Sequence, residues 1–86
     1  MSMNNRHRKT LEAIFSEPVP RNIKWRQIER LFLAVGCEII EERFSRVAFK
    51  QGEIGADFHR PHPAKEAKPY QVRAASEFLE RLEVEP

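Results

Sequence analysis

The apolar residues of this chain change their spacing twice, from a helical repeat to short strand-like runs and back again. One helix is predicted over about residues 24–35 and ends at Gly36. Its single apolar stripe comprises Trp25, Ile28, Leu31, Phe32 and Val35. A last helix over about residues 70–82 repeats the same offsets at Val72, Ala75, Phe78, Leu79 and Leu82. Between them, three short runs rich in β-branched or aromatic residues predict an antiparallel three-stranded meander over residues 38–43, 46–50 and 54–59.

Two helices with one apolar stripe each can bury both stripes by packing on the same face of this sheet. The predicted fold is therefore a two-layer α+β sandwich whose other sheet face meets water. A short additional helix is predicted over residues 5–16, because Leu11, Ile14 and Phe15 share a stripe that Pro18 and Pro20 end. With 86 residues we expect a single domain over residues 1–86, with its core unit over residues 24–82.

The charge is small overall but unevenly distributed. Fifteen Lys and Arg residues face thirteen Asp and Glu residues, for a net charge of +2, and the basic excess lies in residues 1–30. A second basic group lies between residues 58 and 73, where Glu66 is the one acidic residue and the cations are Arg60, Lys65, Lys68 and Arg73. Two such patches fit a polyanionic partner.

The location predicted from the sequence is the cytoplasm. Cys37 is the one cysteine, so no intrachain disulfide can form, and it is expected to be a small buried residue. The N-terminus does not resemble a signal peptide. No apolar run approaches the roughly 18 residues that a membrane span needs, so no membrane partner is expected.

Strand alternation predicts which side chains the open sheet face carries. If Val47 and Phe49 face the helices, Arg46 and Lys50 face water, and the next strand adds outward-facing Asp57 and His59. The first strand stays ambiguous, because the adjacent Ile39 and Ile40 cannot both point inward.

Two histidines in the stretch FHRPHP lie between prolines just before the last helix. Pro61 and Pro63 favour a polyproline II conformation, which predicts both His59 and His62 on one edge. One interpretation is acid/base chemistry, since an imidazole titrates near neutral pH; the other is that one histidine ends a strand and the other fills a loop. Zinc-ligand spacing is missing, and no cofactor is predicted.

The stretch HPAKEAKPYQVR, residues 62–73, resembles the C-terminal signature of the HicA toxin family. The preceding LFLAVG, the three strands and the last helix match the same family's order, so the resemblance covers about residues 24–82. It implies a double-stranded-RNA-binding-like fold, a metal-independent endoribonuclease that cleaves mRNA, and inhibition by a partner antitoxin, HicB. A homo-oligomer and a toxin–antitoxin hetero-oligomer both stay open.

The chain departs from the family at the motif that carries catalysis. HicA proteins usually have Gly-Ser-His at the start of the second strand, with a catalytic His, and here the stretch is Phe44-Ser45-Arg46. Without the glycine, which readily adopts a positive φ, the turn is expected to be longer or of another type. Arg46 can bind a phosphate, but a guanidinium stays protonated near neutrality and cannot serve as a general acid or base.

The favoured hypothesis is an RNA-cleaving toxin in which His59 or His62 is the general acid or base and Arg46 and Lys50 stabilise phosphate charge. The residues predicted to bind RNA are Ser45, Arg46, Lys50, Arg60, Lys65, Lys68 and Arg73. The alternatives are an RNA-binding module without catalysis, which grips phosphates with residues 65–68, and a protein-interaction domain that uses the acidic residues 77–85 and the Trp25 helix.

Overall fold

A computed structural model describes residues 3–86 of the chain. The elements are α1 (Asn5–Ile14), α2 (Trp25–Ala34), β1 (Glu38–Glu41), β2 (Arg46–Gln51), β3 (Ile54–His59) and α3 (Pro69–Arg81). Their order confirms the predicted α+β fold. The helix ends differ from the predicted ones by one or two residues, and β1 ends at Glu41 rather than at residue 43.

The sheet has the order β1-β2-β3, and both strand pairs are antiparallel. Gly52 adopts a φ of 62° at the first position of the two-residue β2–β3 turn, where glycine carries no steric penalty. The register resolves the ambiguous first strand. Ile39 pairs with Phe49 and packs against the core, whereas Ile40 pairs with Ala48 and is 44% exposed on the open face.

The core is an aromatic layer between the helices and one face of the sheet. The Phe32 ring of α2 lies 4.8 Å from Phe49 of β2 and 5.1 Å from Phe78 of α3, between ring centroids. Trp25 lies 5.3 Å from Phe58 of β3. Both predicted helix stripes are buried here apart from the partly exposed Val35 and Leu82, so the two-layer arrangement is confirmed.

The helices α2 and α3 begin with the same pair of hydrogen bonds. The Lys24 N–H donates to Gln27 Oε1 at 2.8 Å, and the Lys68 N–H donates to Gln71 Oε1 at 2.9 Å. In each case the glutamine N–H donates back to the lysine carbonyl, which closes the first turn.

The end of α2 depends on Gly36 and on a side chain from the sheet. Gly36 has a φ of 101°, and a Cβ there would lie 2.5 Å from Gln51 Nε2. That same nitrogen donates to the Val35 carbonyl at 2.8 Å, so it satisfies a carbonyl that the helix leaves without a partner.

The additional helix α1 packs against α2 and α3 through buried Leu11 and Ile14. Asn4 caps it by accepting a hydrogen bond from the His7 N–H at 2.8 Å, which satisfies one of the free N–H groups of the first turn. Among residues 3–86, none of the helices has the length and apolar character that crossing a membrane requires.

Candidate functional site

Arg46 and His59 are direct cross-strand neighbours on the open face of the sheet. They pair in the β2–β3 register, and both side chains are exposed. The Arg60 N–H donates to the Ser45 carbonyl at 2.8 Å, so alternation makes the next pair, Arg46 and His59, a non-hydrogen-bonded one. Side chains in such pairs lie closest, with Cα atoms about 4.5 Å apart. The register thus brings together a cation and an imidazole at one corner of the sheet.

The loop between β1 and β2 precedes this pair. The Glu42 N–H donates to the Arg46 carbonyl at 3.1 Å, which leaves Arg43, Phe44 and Ser45 in the loop. The expectation of a turn longer than two residues is therefore confirmed. Phe44 nevertheless adopts the positive φ that a glycine would adopt without a steric penalty: its φ is 61°, and its side chain is 97% exposed. Such a backbone conformation is strained for a bulky residue.

Glu42 lies near the Arg46 guanidinium without a close contact. The distance from Arg46 Nε to Glu42 Oε1 is 3.8 Å, and both side chains are well exposed. Exposed pairs at this distance contribute little, about 0–1 kcal/mol. The guanidinium of Arg46 therefore keeps most of its hydrogen-bonding capacity for a ligand.

The next residue along the chain, Arg60, is held by two carboxylates. Its Nε donates to Glu29 Oε2 of α2 at 2.7 Å, and its Nη1 donates to Glu41 Oε1 of β1 at 2.7 Å. Trp25 Nε1 donates to the same Glu29 oxygen. The side chain of Arg60, which was predicted to bind RNA, thus joins α2, β1 and the end of β3 within the protein.

This cluster changes two pKa values in the direction that favours charge. The hydrogen bonds from Arg60 lower the pKa of Glu41 below its ordinary value. In turn, the bonds to Glu41 and then Glu29 raise the pKa of Arg60 further above its ordinary value. Both shifts favour the ionised forms of Glu41 and Arg60.

Gln71 of α3 holds the backbone of His59. This glutamine is 2% exposed, and its Nε2 donates to the His59 carbonyl at 2.6 Å. Its Oε1 accepts the Lys68 N–H at the start of α3, so both ends of the amide have partners. The last residue of β3 is thus held by Gln71 through its carbonyl, while the following residue is held by Glu29 and Glu41.

The other predicted residues lie further from the pair. Lys50 is exposed on the same open face, but it lies four residues from Arg46 along β2, about 13 Å when extended. His62 is exposed where the chain bends at His62 and Pro63, so the predicted polyproline II segment does not run through the second proline.

The segment before α3, which carries Lys65, pairs through its backbone with the segment before α2. The Trp25 N–H donates to the Lys65 carbonyl at 2.9 Å, and the Ala67 N–H donates to the Ile23 carbonyl at 2.8 Å. Lys65 therefore lies outside the helix, Lys68 is the residue that precedes its first turn, and Arg73 is exposed further along it.

Two remaining features bear on chemistry. Cys37 is buried as predicted, and its burial raises the pKa of the thiol above its ordinary value. Within residues 3–86, no three His, Cys, Asp or Glu side chains are grouped so that they could hold a metal ion.

Sequence reasoning missed Gln71, Glu29 and Glu41. Gln71 had a detectable signal, because a polar residue four positions before Ala75 lies on the apolar side of a helix and must find buried partners. Glu29 and Glu41 had none, since each meets Arg60 through contacts between distant parts of the chain.

Fold and site together define a small α+β protein with a cation and an imidazole paired on an open sheet face. The chain belongs to the HicA toxin family: the family model described as "HicA toxin of bacterial toxin-antitoxin" matches residues 25–83. The match covers α2, the sheet and α3, and it leaves α1 outside. Comparisons with curated proteins and with solved structures found no match, so the likeness to double-stranded-RNA-binding domains stays a prediction.

Proposed function

We propose that this toxin is an endoribonuclease in which His59 is the general base and Arg46 stabilises phosphate charge. The observation that supports this assignment is the direct pairing of the two residues across β2 and β3, with both side chains exposed. Family membership supports a toxin that acts with an antitoxin. Arg46 stands where the family usually has its catalytic histidine. His59, on the neighbouring strand, is proposed to supply the imidazole instead.

The proposed reaction uses the RNA itself as the nucleophile. The His59 imidazole accepts the proton of a ribose 2′-OH while the O2′–P bond forms and the P–O5′ bond breaks. The leaving oxygen takes a proton from water, and the products carry a 2′,3′-cyclic phosphate and a 5′-hydroxyl. Arg46 donates hydrogen bonds to the phosphate oxygens on which negative charge develops.

RNA binding is proposed to extend from this pair along the basic residues. Lys50, Lys65, Lys68 and Arg73 are exposed and free of ion pairs within the described part of the chain, which suits contacts with phosphates. Ser45 would offer its hydroxyl next to Arg46. Arg60 receives a different role, because its guanidinium is already bonded to two carboxylates.

The proposed partner is a HicB-type antitoxin that covers the open face. Its contact surface should carry acidic side chains, because the face presents Arg46 and Lys50. Covering this face would hide the Arg46–His59 pair and so inhibit cleavage.

Inducible expression in bacteria tests the proposal. Wild type should stop growth and degrade transcripts, and Arg46→Ala and His59→Ala should do neither while accumulating as folded protein. His62→Ala is the matched control, since it removes an exposed imidazole of the same segment that does not pair with Arg46. Toxicity and transcript loss undiminished in His59→Ala would contradict the role given to this histidine. Growth arrest with intact transcripts would instead indicate an RNA-binding module without catalysis.

A further inference from the structure

Phe44 combines two features that each disfavour the folded state. Its ring is 97% exposed at the tip of the β1–β2 loop, and its φ is 61°. A large apolar ring in water forgoes the free energy of burial, and a bulky residue in the left-handed region is strained. Strained and exposed residues of this kind concentrate at binding sites, where a ligand makes use of them.

The surroundings of Phe44 distinguish between two kinds of ligand. Arg43 and Arg46 are exposed on either side of it, and the other large exposed apolar residues lie on different elements: Leu33 on α2, Ile40 on β1 and Tyr70 on α3. Within the loop itself, residues 42–45, Phe44 is the one apolar residue. A pocket on a protein partner usually meets an anchor residue inside a continuous apolar patch, whereas a nucleic-acid base needs one aromatic face with cations for the phosphates.

We propose that Phe44 is a stacking platform for an unpaired RNA base that places the neighbouring phosphate at Arg46 and His59. This inference rests on the proposed function for the identity of the ligand. Arg46 follows Phe44 by two positions, at most about 7 Å along the chain, so one nucleotide strand can contact both at once. Stacking on an aromatic ring accepts any base but requires that the base be free of its own stack. The platform therefore selects single-stranded RNA over a duplex.

Binding of single-stranded RNA tests the platform without interference from cleavage. The probe is a short unstructured RNA that carries 2-aminopurine, whose fluorescence falls when it stacks, and the protein carries His59→Ala so that the RNA stays intact. Phe44→Ala and Phe44→Leu should bind about tenfold more weakly and lose the fluorescence change, since stacking is lost in both. Phe44→Trp should keep both. Leu33→Ala is the matched control, because it truncates an exposed apolar residue on α2.

Phe44→Gly separates binding from folding. Glycine relieves the strain at this φ, so the variant should melt at a higher temperature than wild type and yet bind RNA more weakly. If it melts as expected, a lower RNA affinity in this variant does not come from unfolding.

Each outcome of these measurements has a distinct meaning. Equal RNA affinity for Phe44→Leu and wild type overturns the platform, and a simultaneous loss of antitoxin binding in that variant would assign the ring to a protein contact. If wild type cleaves RNA and Phe44→Ala binds and cleaves equally well, the nuclease stands and the platform falls. If the probe stacks on Phe44 but wild type never cleaves, the platform stands and the nuclease falls. If wild type binds no RNA, both fall.

Discussion

Arg60 joins three elements with one side chain, and it directly follows the histidine of the proposed site. Its guanidinium donates hydrogen bonds to Glu29 of α2 and Glu41 of β1, and its backbone N–H donates to the Ser45 carbonyl before β2. The fork of donors in an arginine suits two carboxylates at once. These contacts therefore fix the end of β3 relative to α2 and β1.

Replacing Arg60 should destabilise the fold. Arg60→Ala leaves Glu29, whose side chain is 17% exposed, without its cation, and we expect a loss of about 1–3 kcal/mol in the free energy of unfolding. Arg60→Lys should restore only part of it, because one ammonium group cannot replace the planar fork. Urea denaturation measures both. Stability of Arg60→Ala equal to wild type would show that the cluster is not structural.

The Glu41 contact should also appear in the pH dependence of stability. Its pKa is lowered by hydrogen bonds from Arg60, so its contribution is present above the ordinary Glu pKa of about 4.3 and is lost as the pH falls through the lowered value. Glu41→Gln should therefore reduce the loss of unfolding free energy at acidic pH, which urea denaturation at several pH values measures. The change should be small, because Glu41 is 64% exposed and solvent screens the pair.

Arg60 also shows a limit of predicting residue contacts from the sequence. A cation in a basic run was predicted to bind RNA, but its partners lie 31 and 19 positions away along the chain. The spacing of apolar residues predicts which side chains are buried, but it does not predict which side chains from distant parts of the chain come into contact. By contrast, the outward direction of Arg46 and His59 followed from strand alternation alone, because Val47 and Phe58 had to face the core.

At the scale of elements, the start of α3 holds the site. Gln71 closes the first turn of the helix through its Oε1 and bonds to the His59 carbonyl through its Nε2. Gln27 closes the first turn of α2 in the same way without reaching the sheet end at His59. The chain thus contains two equivalent caps, of which one also positions the proposed base.

Gln71→Leu should reduce cleavage more than it reduces RNA binding. The substitution removes two partly buried hydrogen bonds, those of the Lys68 N–H and the His59 carbonyl, which should cost about 1–3 kcal/mol of stability, and it frees the backbone of His59. Gln27→Leu is the matched control, because it removes a helix cap alone. We expect kcat for RNA cleavage to fall in Gln71→Leu and to hold in Gln27→Leu, both measured below their melting temperatures. Equal kcat values would limit Gln71 to a structural role.

The elements themselves could be predicted because burial repeats along them. Both helix stripes and all three strands follow from the spacing of apolar residues, and Gly36 and Gly52 mark two of the ends. The β1–β2 loop could be predicted only in part. The missing glycine indicated a longer loop, but not that Phe44 would adopt a positive φ, since that depends on the closure of the hairpin around it.

At the scale of the whole molecule, all helical packing lies on one side of the sheet. The aromatic core between α2, α3 and the sheet leaves the opposite face open, and the Arg46–His59 pair lies at one corner of it. Phe44 lies at the same end, and Gln71 and Arg60 hold the chain there. α1 lies outside the family match and adds its buried Leu11 and Ile14 to the core.

We propose that the exposed pair of Arg46 and His59 cleaves RNA without a metal ion. The most direct measurement incubates purified wild type and His59→Ala with end-labelled single-stranded RNA in excess EDTA, and follows the cleavage rate and the product ends. We predict that wild type cleaves and leaves 2′,3′-cyclic phosphates, and that His59→Ala is slower by about 10²–10⁴-fold, the usual contribution of a general base. Cleavage by His59→Ala at the wild-type rate, or no cleavage by wild type, would contradict the claim.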